Sequence, residues 1–236
     1  MQLTEAIINL AQGLITPGNH WYRWPIIKDR LPEGITLPNG SLYYQNVSLK
    51  LQLNERWKNA NDQEKLALVD YYIAEWGGIR NNKPEKIRSY ALQSPDQLIA
   101  LGKSGVASWS KALCIRDPNE YPIYDAHVSV ALNALQAINN VVQPQLFPIV
   151  PGRNKLLKRA PARLRQYATQ HHWPLLGAQD FYRWYIMVIS KAAANLGVPL
   201  YTAEMLLFAK AEDLHKKAFP NDQFNKVPHT IPLESW

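Results

Sequence analysis

One segment, residues 94–135, constrains the fold of this 236-residue chain more than any other. Ser94 is suited to a helix N-cap, with Pro95 at the first helical position and Gln97 two positions later. Glycines then bound a short turn, and a short polar loop separates two further helical patterns. The segment therefore predicts three helices, at residues 94–101, 107–115 and 126–138.

The rest of the chain shows helical periodicity and a thin strand signal, which predicts a mainly α fold. We expect helices at residues 2–15, 62–76, 178–196 and 202–219, and a short basic helix at 161–170. Asn61 with Glu64 has capping-box spacing, and Thr202 is suited to an N-cap. Residues 20–54, rich in Pro, Gly and aromatic residues, predict an irregular cover or extended segments, and the prolines of 143–161 predict a loop.

We expect one helical unit spanning residues 1–236, or the same unit divided into two lobes. One lobe would comprise residues 1–60 with 140–236. The other, residues 61–139, would carry the glycine-bounded turn and the helices on either side of it.

The composition narrows the class of protein. Hydrophobic residues make up 47% of the chain, so we expect a sizeable core rather than disorder. No apolar run reaches the roughly 18 residues of a membrane span. A single cysteine, Cys114, excludes a disulfide framework and favours a reducing cytoplasm. The net charge of +7 favours a polyanionic partner.

The turn after the first helix of the segment has the features of an anion site. Glycines allow the backbone to approach a ligand, and the first N–H groups of the following helix point at the turn. The candidate phosphate-binding residues are Gly102, Lys103, Ser104, Gly105, Ala107 and Ser108. The competing interpretation is a helix–helix turn with ordinary glycine capping, and on the turn alone that interpretation is favoured.

Asp125 adds a carboxylate one helix away from that turn. It begins the third helix of the segment, in the sequence Tyr124-Asp125-Ala126-His127-Val128. An aspartate at such a position is often only a helix N-cap. A carboxylate there can also stabilise positive charge on a sugar as an N-glycosidic bond breaks.

The order of helix, glycine hairpin, helix, short loop, aspartate and helix resembles that of the helix-hairpin-helix DNA glycosylases. The hairpin of that family reads Leu-Pro-Gly-Val-Gly-x-Lys-Thr-Ala, and residues 105–110 lie over its Gly-Val-Gly-x-Lys-Thr. The family motif Val-Asp-Thr-His-Val lies over residues 124–128. The resemblance covers about 35 residues. The sequence is also similar to a bacterial branch of the family with an 8-oxoguanine-DNA-glycosylase fold.

The resemblance implies a helix-hairpin-helix glycosylase-like architecture in which Asp125 is catalytic. Bifunctional members use a hairpin lysine that forms a Schiff base, but here Trp109 occupies that position and Ala107 replaces the second glycine. Lys111, two residues and about 200° further around the helix, is the alternative nucleophile. We therefore expect a monofunctional enzyme. No cofactor or metal is implied, apart from a structural monovalent cation that the hairpin could hold.

Such an enzyme would need a pocket for the extruded base and basic residues for phosphates. The candidate pocket residues are Trp76, Arg80, Trp109, Phe181, Tyr182 and Tyr185. The basic candidates are Arg153, Lys155, Lys158 and Arg159, followed by Arg163 and Arg165. For each aromatic residue a place in the core is the more common outcome, and the basic run is equally typical of a solvated face.

The expected protein is thus a cytoplasmic, monomeric DNA glycosylase that binds DNA and excises a modified base through Asp125. Its substrate would be an 8-oxoguanine-like base, in DNA repair, or a hypermodified phage base such as glucosylated hydroxymethylcytosine, in anti-phage defence. One alternative is a non-catalytic helix-hairpin-helix DNA-binding protein. Another is an all-α interaction module that binds no nucleic acid.

Overall fold

A computed structural model of the chain describes residues 1–15, 21–152 and 155–220. Within those ranges the chain forms ten α-helices, with a 3₁₀ turn at Lys28–Arg30 and a π-helical turn at Tyr71–Trp76. The helices are α1 (Leu3–Ala11), α2 (Leu42–Asn59), α3 (Asp62–Asp70), α4 (Pro84–Leu92), α5 (Pro95–Ile99), α6 (Val106–Arg116), α7 (Ala126–Asn139), α8 (Lys155–Gln170), α9 (Phe181–Leu196) and α10 (Leu200–Ala218). The prediction of a mainly α fold is confirmed.

Polar side chains cap the N-termini of two helices at the positions that the sequence predicts. At α3, the Asn61 side chain accepts from the backbone N–H of Glu64 at 3.0 Å, and the Glu64 carboxylate accepts from the Asn61 N–H at 2.8 Å. Ser94 and Gln97 form the same reciprocal pair at α5, at 3.3 and 2.9 Å. Both capping boxes satisfy N–H groups that the first helical turn leaves free, so both predictions are confirmed.

Helix α2 lies largely in the region that the sequence predicts to be irregular, so that prediction is wrong. Ser41 caps this helix and accepts from the backbone N–H of Tyr44 at 3.5 Å. The buried side chains of α2 are Asn46, Leu49, Lys50 and Leu53. Their spacing is helical, but two of the four are polar. The apolar periodicity that marks an amphipathic helix is therefore missing from the sequence.

The starts of α8 and α10 also differ from the prediction. Helix α8 begins at Lys155, in the expected loop, and Pro161 lies inside the helix rather than at its start. A proline there removes one backbone donor without ending the helix. Helix α10 begins at Leu200, and Thr202 does not cap it, because the buried Thr202 hydroxyl lies 2.7 Å from the Tyr43 hydroxyl.

Helix α7 lies at the centre of the fold, where it packs against α1, α8 and α10. Helix α6 packs against α2 and α4. Residues 61–139 and the segments on either side contribute to one continuous hydrophobic core, and a smaller cluster joins Trp21 and Tyr22 to α1 and α10. No single helix in the described ranges is both long and apolar enough to cross a membrane.

Gly102 allows the turn between α5 and α6 to dock on the start of α9, and Gly34 offers a matched control. Both glycines have left-handed backbone angles, with φ of +58° and +76°. A Cβ on Gly102 would lie 2.5 Å from the carbonyl oxygen of Ala178, whereas a Cβ on Gly34 would meet nothing within 4 Å. We expect Gly34→Ala to cost about 1 kcal/mol of unfolding free energy and Gly102→Ala at least about 2 kcal/mol. Urea unfolding measures both, and equal costs would contradict the close approach.

Candidate functional site

A cavity of about 140 Å³ opens between α6, the start of α7 and α10. Its aromatic walls are formed by Trp24, Trp76, His127 and Phe208. Its charged lining consists of Lys111, Asp125 and Glu204. Apolar and aromatic walls with a few converging polar groups are typical of a small-molecule or base-binding pocket.

Asn46 of α2 holds two of these walls in place. Its side-chain amide donates to the carbonyl oxygen of Trp24 at 2.9 Å and accepts from the indole N–H of Trp76 at 2.8 Å. The indole N–H of Trp24 donates to the carbonyl oxygen of Trp76 at 3.2 Å. The ring of Phe208 packs edge-on against Trp24 with centroids 5.3 Å apart, and it lies 4.2 Å from the ring of His127. Hydrogen bonds and ring contacts therefore fix the shape of the cavity.

Asp125 is both the N-cap of α7 and part of the cavity. Its Oδ1 accepts from the backbone N–H groups of His127 and Val128, at 3.0 and 3.2 Å. Its Oδ2 lies 3.9 Å from Lys111 Nζ and 4.0 Å from His127 Nδ1. The side chain is 15% exposed. One carboxylate oxygen is thus occupied by helix capping, and the other faces the charged groups of the cavity.

Two buried tyrosines hold the loop that ends at Asp125. The Tyr182 hydroxyl donates to the carbonyl oxygen of Pro122 at 2.8 Å, and the Tyr185 hydroxyl donates to that of Ile123 at 2.9 Å. Both side chains come from α9, and neither lines the cavity. They position Asp125 without lining the cavity.

The prediction that Trp109, Phe181, Tyr182 and Tyr185 line a base pocket is therefore wrong. All four are fully buried in the core, and none of them lines the cavity. The Trp109 ring packs edge-on against Tyr182 with centroids 4.7 Å apart, and its indole N–H donates to the carbonyl oxygen of Ser104 at 3.1 Å. Large aromatic rings bury more apolar surface in the core than at a cavity rim, which explains their position.

Lys111, the alternative nucleophile of the sequence prediction, faces the cavity. Its Nζ donates to the carbonyl oxygen of Ala107 at 2.9 Å and lies beside Asp125. Burial lowers the pKa of Lys111, and the charge of Asp125 opposes that shift. Gly77 makes room for the lysine stem, because a Cβ there would lie 2.7 Å from Lys111 Cε. The cavity thus contains a buried amine whose charged form is disfavoured.

The hairpin between α5 and α6 presents backbone donors. Gly105, with φ of +70°, is the residue before α6, and Ala107 lines the cavity. In the described part of the chain, the backbone N–H groups of Lys103, Gly105 and Ala107 donate no hydrogen bond to the protein. Lys103 and Ser104 are exposed. The predicted anion site and the cavity are therefore adjacent.

Three predicted contact residues lie elsewhere. Gly102 is buried, with its backbone packed against the carbonyl oxygen of Ala178. Ser108 is buried, and its hydroxyl accepts from the Asn82 side chain at 3.0 Å, so its hydroxyl faces the protein rather than a phosphate. Arg80 is exposed and pairs with Glu75 at 3.2 Å rather than lining the cavity. Among the predicted pocket residues, Trp76 is the one that lines the cavity.

The predicted basic run is described in part. Lys158 and Arg159 lie on the exposed face of α8. Arg153 and the side chain of Lys155 lie outside the described residues. The helix itself reaches the cavity through Leu157. The described basic residues therefore belong to an element that borders the cavity.

A second charged pair borders the cavity through Glu204. Lys50 of α2 donates to the Glu204 carboxylate of α10, and the two side chains are 1% and 2% exposed. Burial alone would lower the pKa of Lys50, but neighbouring groups, Glu204 foremost, raise it overall. Burial raises the pKa of Glu204, although Lys50 opposes that shift. Asp125 raises it further, which places the two carboxylates within electrostatic reach of each other.

Sequence reasoning assigned no role to four of the lining residues: Trp24, His127, Glu204 and Phe208. Glu204 carries a usable signal, because an acid on the buried face of an apolar helix needs a partner or a function. A carboxylate beside an aromatic cavity can bind a planar ring and stabilise positive charge next to it. Comparison of the chain with protein-family models, curated proteins and solved structures gives no match.

The lowered pKa of Lys111 predicts that the free energy of unfolding depends on pH. A protonated Lys111 opposes folding below its folded-state pKa, and this penalty disappears as the pH rises to the unfolded value of 10.5. Lys111→Met keeps the unbranched stem and removes the charge. We expect the unfolding free energy of the variant, minus that of the native protein, to fall as the pH rises from about 7 to about 10. Urea unfolding across that range measures the difference, and a constant value would contradict the lowered pKa.

Proposed function

We propose that this protein is a DNA N-glycosylase that excises a modified base with the help of Asp125. The observation that carries the proposal is the position of Asp125 Oδ2, turned toward an aromatic cavity that adjoins a hairpin with free backbone donors. Each part corresponds to one requirement of base excision. The cavity accepts the base, the carboxylate faces the sugar, and the hairpin holds a phosphate.

The chemistry needs a negative charge at the position of Asp125. As the bond between the base and C1′ breaks, positive charge develops on the deoxyribose. A carboxylate beside C1′ stabilises that charge and orients or deprotonates an attacking water molecule. Capping of α7 through Oδ1 fixes the orientation of the side chain, so Oδ2 needs little reorganisation during the reaction.

The size of the cavity suits one aromatic ring. A protein cavity of about 150 Å³ is large enough to bind benzene, and this one measures about 140 Å³. A base that is rotated out of the duplex could stack against Trp24, Trp76 or Phe208. The second ring of a purine, or the substituent of a modified pyrimidine, would then lie at the mouth of the cavity.

The DNA-binding surface we propose is formed by the hairpin and the basic face of α8. Ala107, in the first turn of α6 next to the hairpin, also lines the cavity, so a phosphate bound there would lie next to the reacting sugar. Lys103, Lys158 and Arg159 would contribute positive charge, and the net charge of +7 supports a polyanionic partner. The substrate would be an 8-oxoguanine-like or hypermodified phage base, in repair or in defence, within the cytoplasm.

The position of Lys111 supports a second mechanism, in which its amine replaces water as the nucleophile. The neutral amine would attack C1′, the base would leave with the electron pair of the glycosidic bond, and Asp125 could accept the proton released from nitrogen. Opening of the sugar ring would then give a Schiff base. Lys111 has the required neighbour at 3.9 Å and a pKa lowered by burial. Trp109, which occupies the lysine position of the family motif, faces the core instead.

The competing function is a non-catalytic DNA-binding protein with the same hairpin. Such a protein would need the backbone donors and the basic residues but no carboxylate facing a cavity. Asp125 Oδ2 takes no part in helix capping and lies next to a buried lysine, which favours the enzyme over the binding protein.

We expect Asp125→Asn to reduce base excision by at least about 100-fold, because it removes the charge that stabilises the transition state. Asparagine caps helices as well as aspartate does, so folding and DNA binding should be retained. Alkaline cleavage of DNA carrying a panel of damaged and phage-type bases measures excision. Asp213→Asn, which alters an exposed carboxylate of α10, is the control. Equal excision by the native protein and by Asp125→Asn would reject the assignment.

Borohydride trapping tests the two nucleophiles. The Lys111 mechanism requires a covalent adduct between the native protein and substrate DNA, which disappears in Lys111→Met. Lys58→Met, which alters an exposed lysine of α2 away from the cavity and the hairpin, should keep the adduct. Base excision without any adduct would assign the nucleophile to water, as the sequence alone favours.

A further inference from the structure

Glu204 is a carboxylate that lines the cavity but has no part in the mechanism above. It lies on the buried face of α10, and its side chain is 2% exposed. Its Oε2 accepts from Lys50 Nζ. A carboxylate has about four lone-pair positions, and within the described part of the chain Lys50 is its hydrogen-bond donor. Glu204 can therefore accept further hydrogen bonds from a ligand in the cavity.

Burial of the Lys50–Glu204 ion pair costs desolvation free energy, so a link between two helices does not by itself explain its presence. Replacement of a buried ion pair by packed apolar residues is often neutral or stabilising, so such a pair is weak evidence for a structural role. Here one member of the pair is in the wall of a cavity that already contains a second carboxylate, Asp125, whose charge disfavours ionised Glu204. The hydrogen bond from the Lys50 ammonium opposes that repulsion and favours the ionised, hydrogen-bond-accepting form of Glu204.

We infer that Glu204 determines specificity for the extruded base by accepting a hydrogen bond from an exocyclic amino group on its Watson–Crick edge. An ionised carboxylate only accepts hydrogen bonds, and Lys50 already donates to one of its oxygens. An amino group supplies the missing donor, whereas a carbonyl oxygen at the same position would meet a buried negative charge. Pairing of a carboxylate with the amino group of cytosine is one known form of this recognition. The substrate class is therefore an amino-bearing base rather than a thymine-like or uracil-like one.

The inference rests on the proposed function, because it assigns the cavity to a base. Asp125 and Glu204 then have separate tasks. Asp125 lies at the start of α7 beside Lys111 and faces the sugar, while Glu204 faces the edge of the base. A variant of Glu204 should change which base is processed, whereas a variant of Asp125 should change how fast any base is removed.

The first test uses matched pairs of bases in otherwise identical oligonucleotides. One pair is 5-hydroxymethylcytosine with 5-hydroxymethyluracil, and the other is 8-oxoguanine with 8-oxohypoxanthine. The members of each pair differ in whether the Watson–Crick edge carries an amino group. We expect the native protein to favour the amino-bearing member of at least one pair by about 10- to 100-fold, in single-turnover excision and in DNA binding. No preference in either pair, or a preference for the member without the amino group, would overturn the inference.

The second test uses Glu204→Gln, which should reverse the preference between 5-hydroxymethylcytosine and 5-hydroxymethyluracil, because a carbonyl oxygen replaces the amino group in that pair. The Lys50 ammonium can only donate, so it would take the amide oxygen, and the amide NH₂ would turn toward the cavity. A donor in that position favours a carbonyl oxygen on the base. A purely structural role for Glu204 would lower stability without exchanging the favoured member of a pair, and that result would reject the inference.

The variant leaves Lys50 buried without its counter-ion, so thermal unfolding is measured first. If Glu204→Gln does not fold, the double variant Lys50→Gln/Glu204→Gln replaces it. With no ammonium to orient either amide, the double variant should lose the preference rather than reverse it. A preference that persists unchanged in the double variant would overturn the inference.

The outcomes separate the two proposals. Excision that shows no dependence on Glu204 would retain the glycosylase and reject the role of this residue. Selective binding of amino-bearing bases without excision of any of them would reject the glycosylase and retain a base-reading role for Glu204. A native protein that neither excises nor selectively binds these bases would reject both.

Discussion

The site depends on how Asp125 divides its two carboxylate oxygens. Oδ1 accepts from two backbone N–H groups in the first turn of α7, which begins the helix and fixes the side-chain orientation. Oδ2 is then turned toward the cavity, where Lys111 Nζ lies 3.9 Å away. The hydroxyls of Tyr182 and Tyr185 hold the preceding loop from α9. The core of the protein, rather than a flexible side chain, therefore sets the position of the proposed catalytic oxygen.

Helix α2 connects the core to the cavity through the polar side chains of its buried face. Asn46 holds Trp24 and Trp76, and Lys50 holds Glu204. Buried polar groups are stable only when they are hydrogen-bonded, so these contacts tie α2 to one position against the cavity. The same two residues interrupt the apolar pattern of the helix, which is why the sequence did not predict it. The buried polar residues that made α2 hard to predict are therefore the ones that position the cavity walls.

Features that depend on near neighbours in the sequence were predicted well. The capping boxes that begin α3 and α5, the glycine before α6 and the N-cap of α7 are each decided within a few residues. The positions of the aromatic residues were not predicted well, because composition does not say which face of a helix meets the core. Phe181, Tyr182 and Tyr185 were predicted at a pocket and lie in the core, whereas Trp24 and Phe208 line the cavity without any local signal.

The sequence by itself determined that Trp109 and Lys111 point in different directions, because two residues of an α-helix turn by about 200°. Only the tertiary structure decided which of them faces the cavity. The indole of Trp109 is buried against Tyr182 of α9, and Lys111 passes over Gly77, where a missing side chain leaves room for its stem. Both contacts involve residues far away in the chain. The outcome follows from how the helices pack, which no local pattern contains.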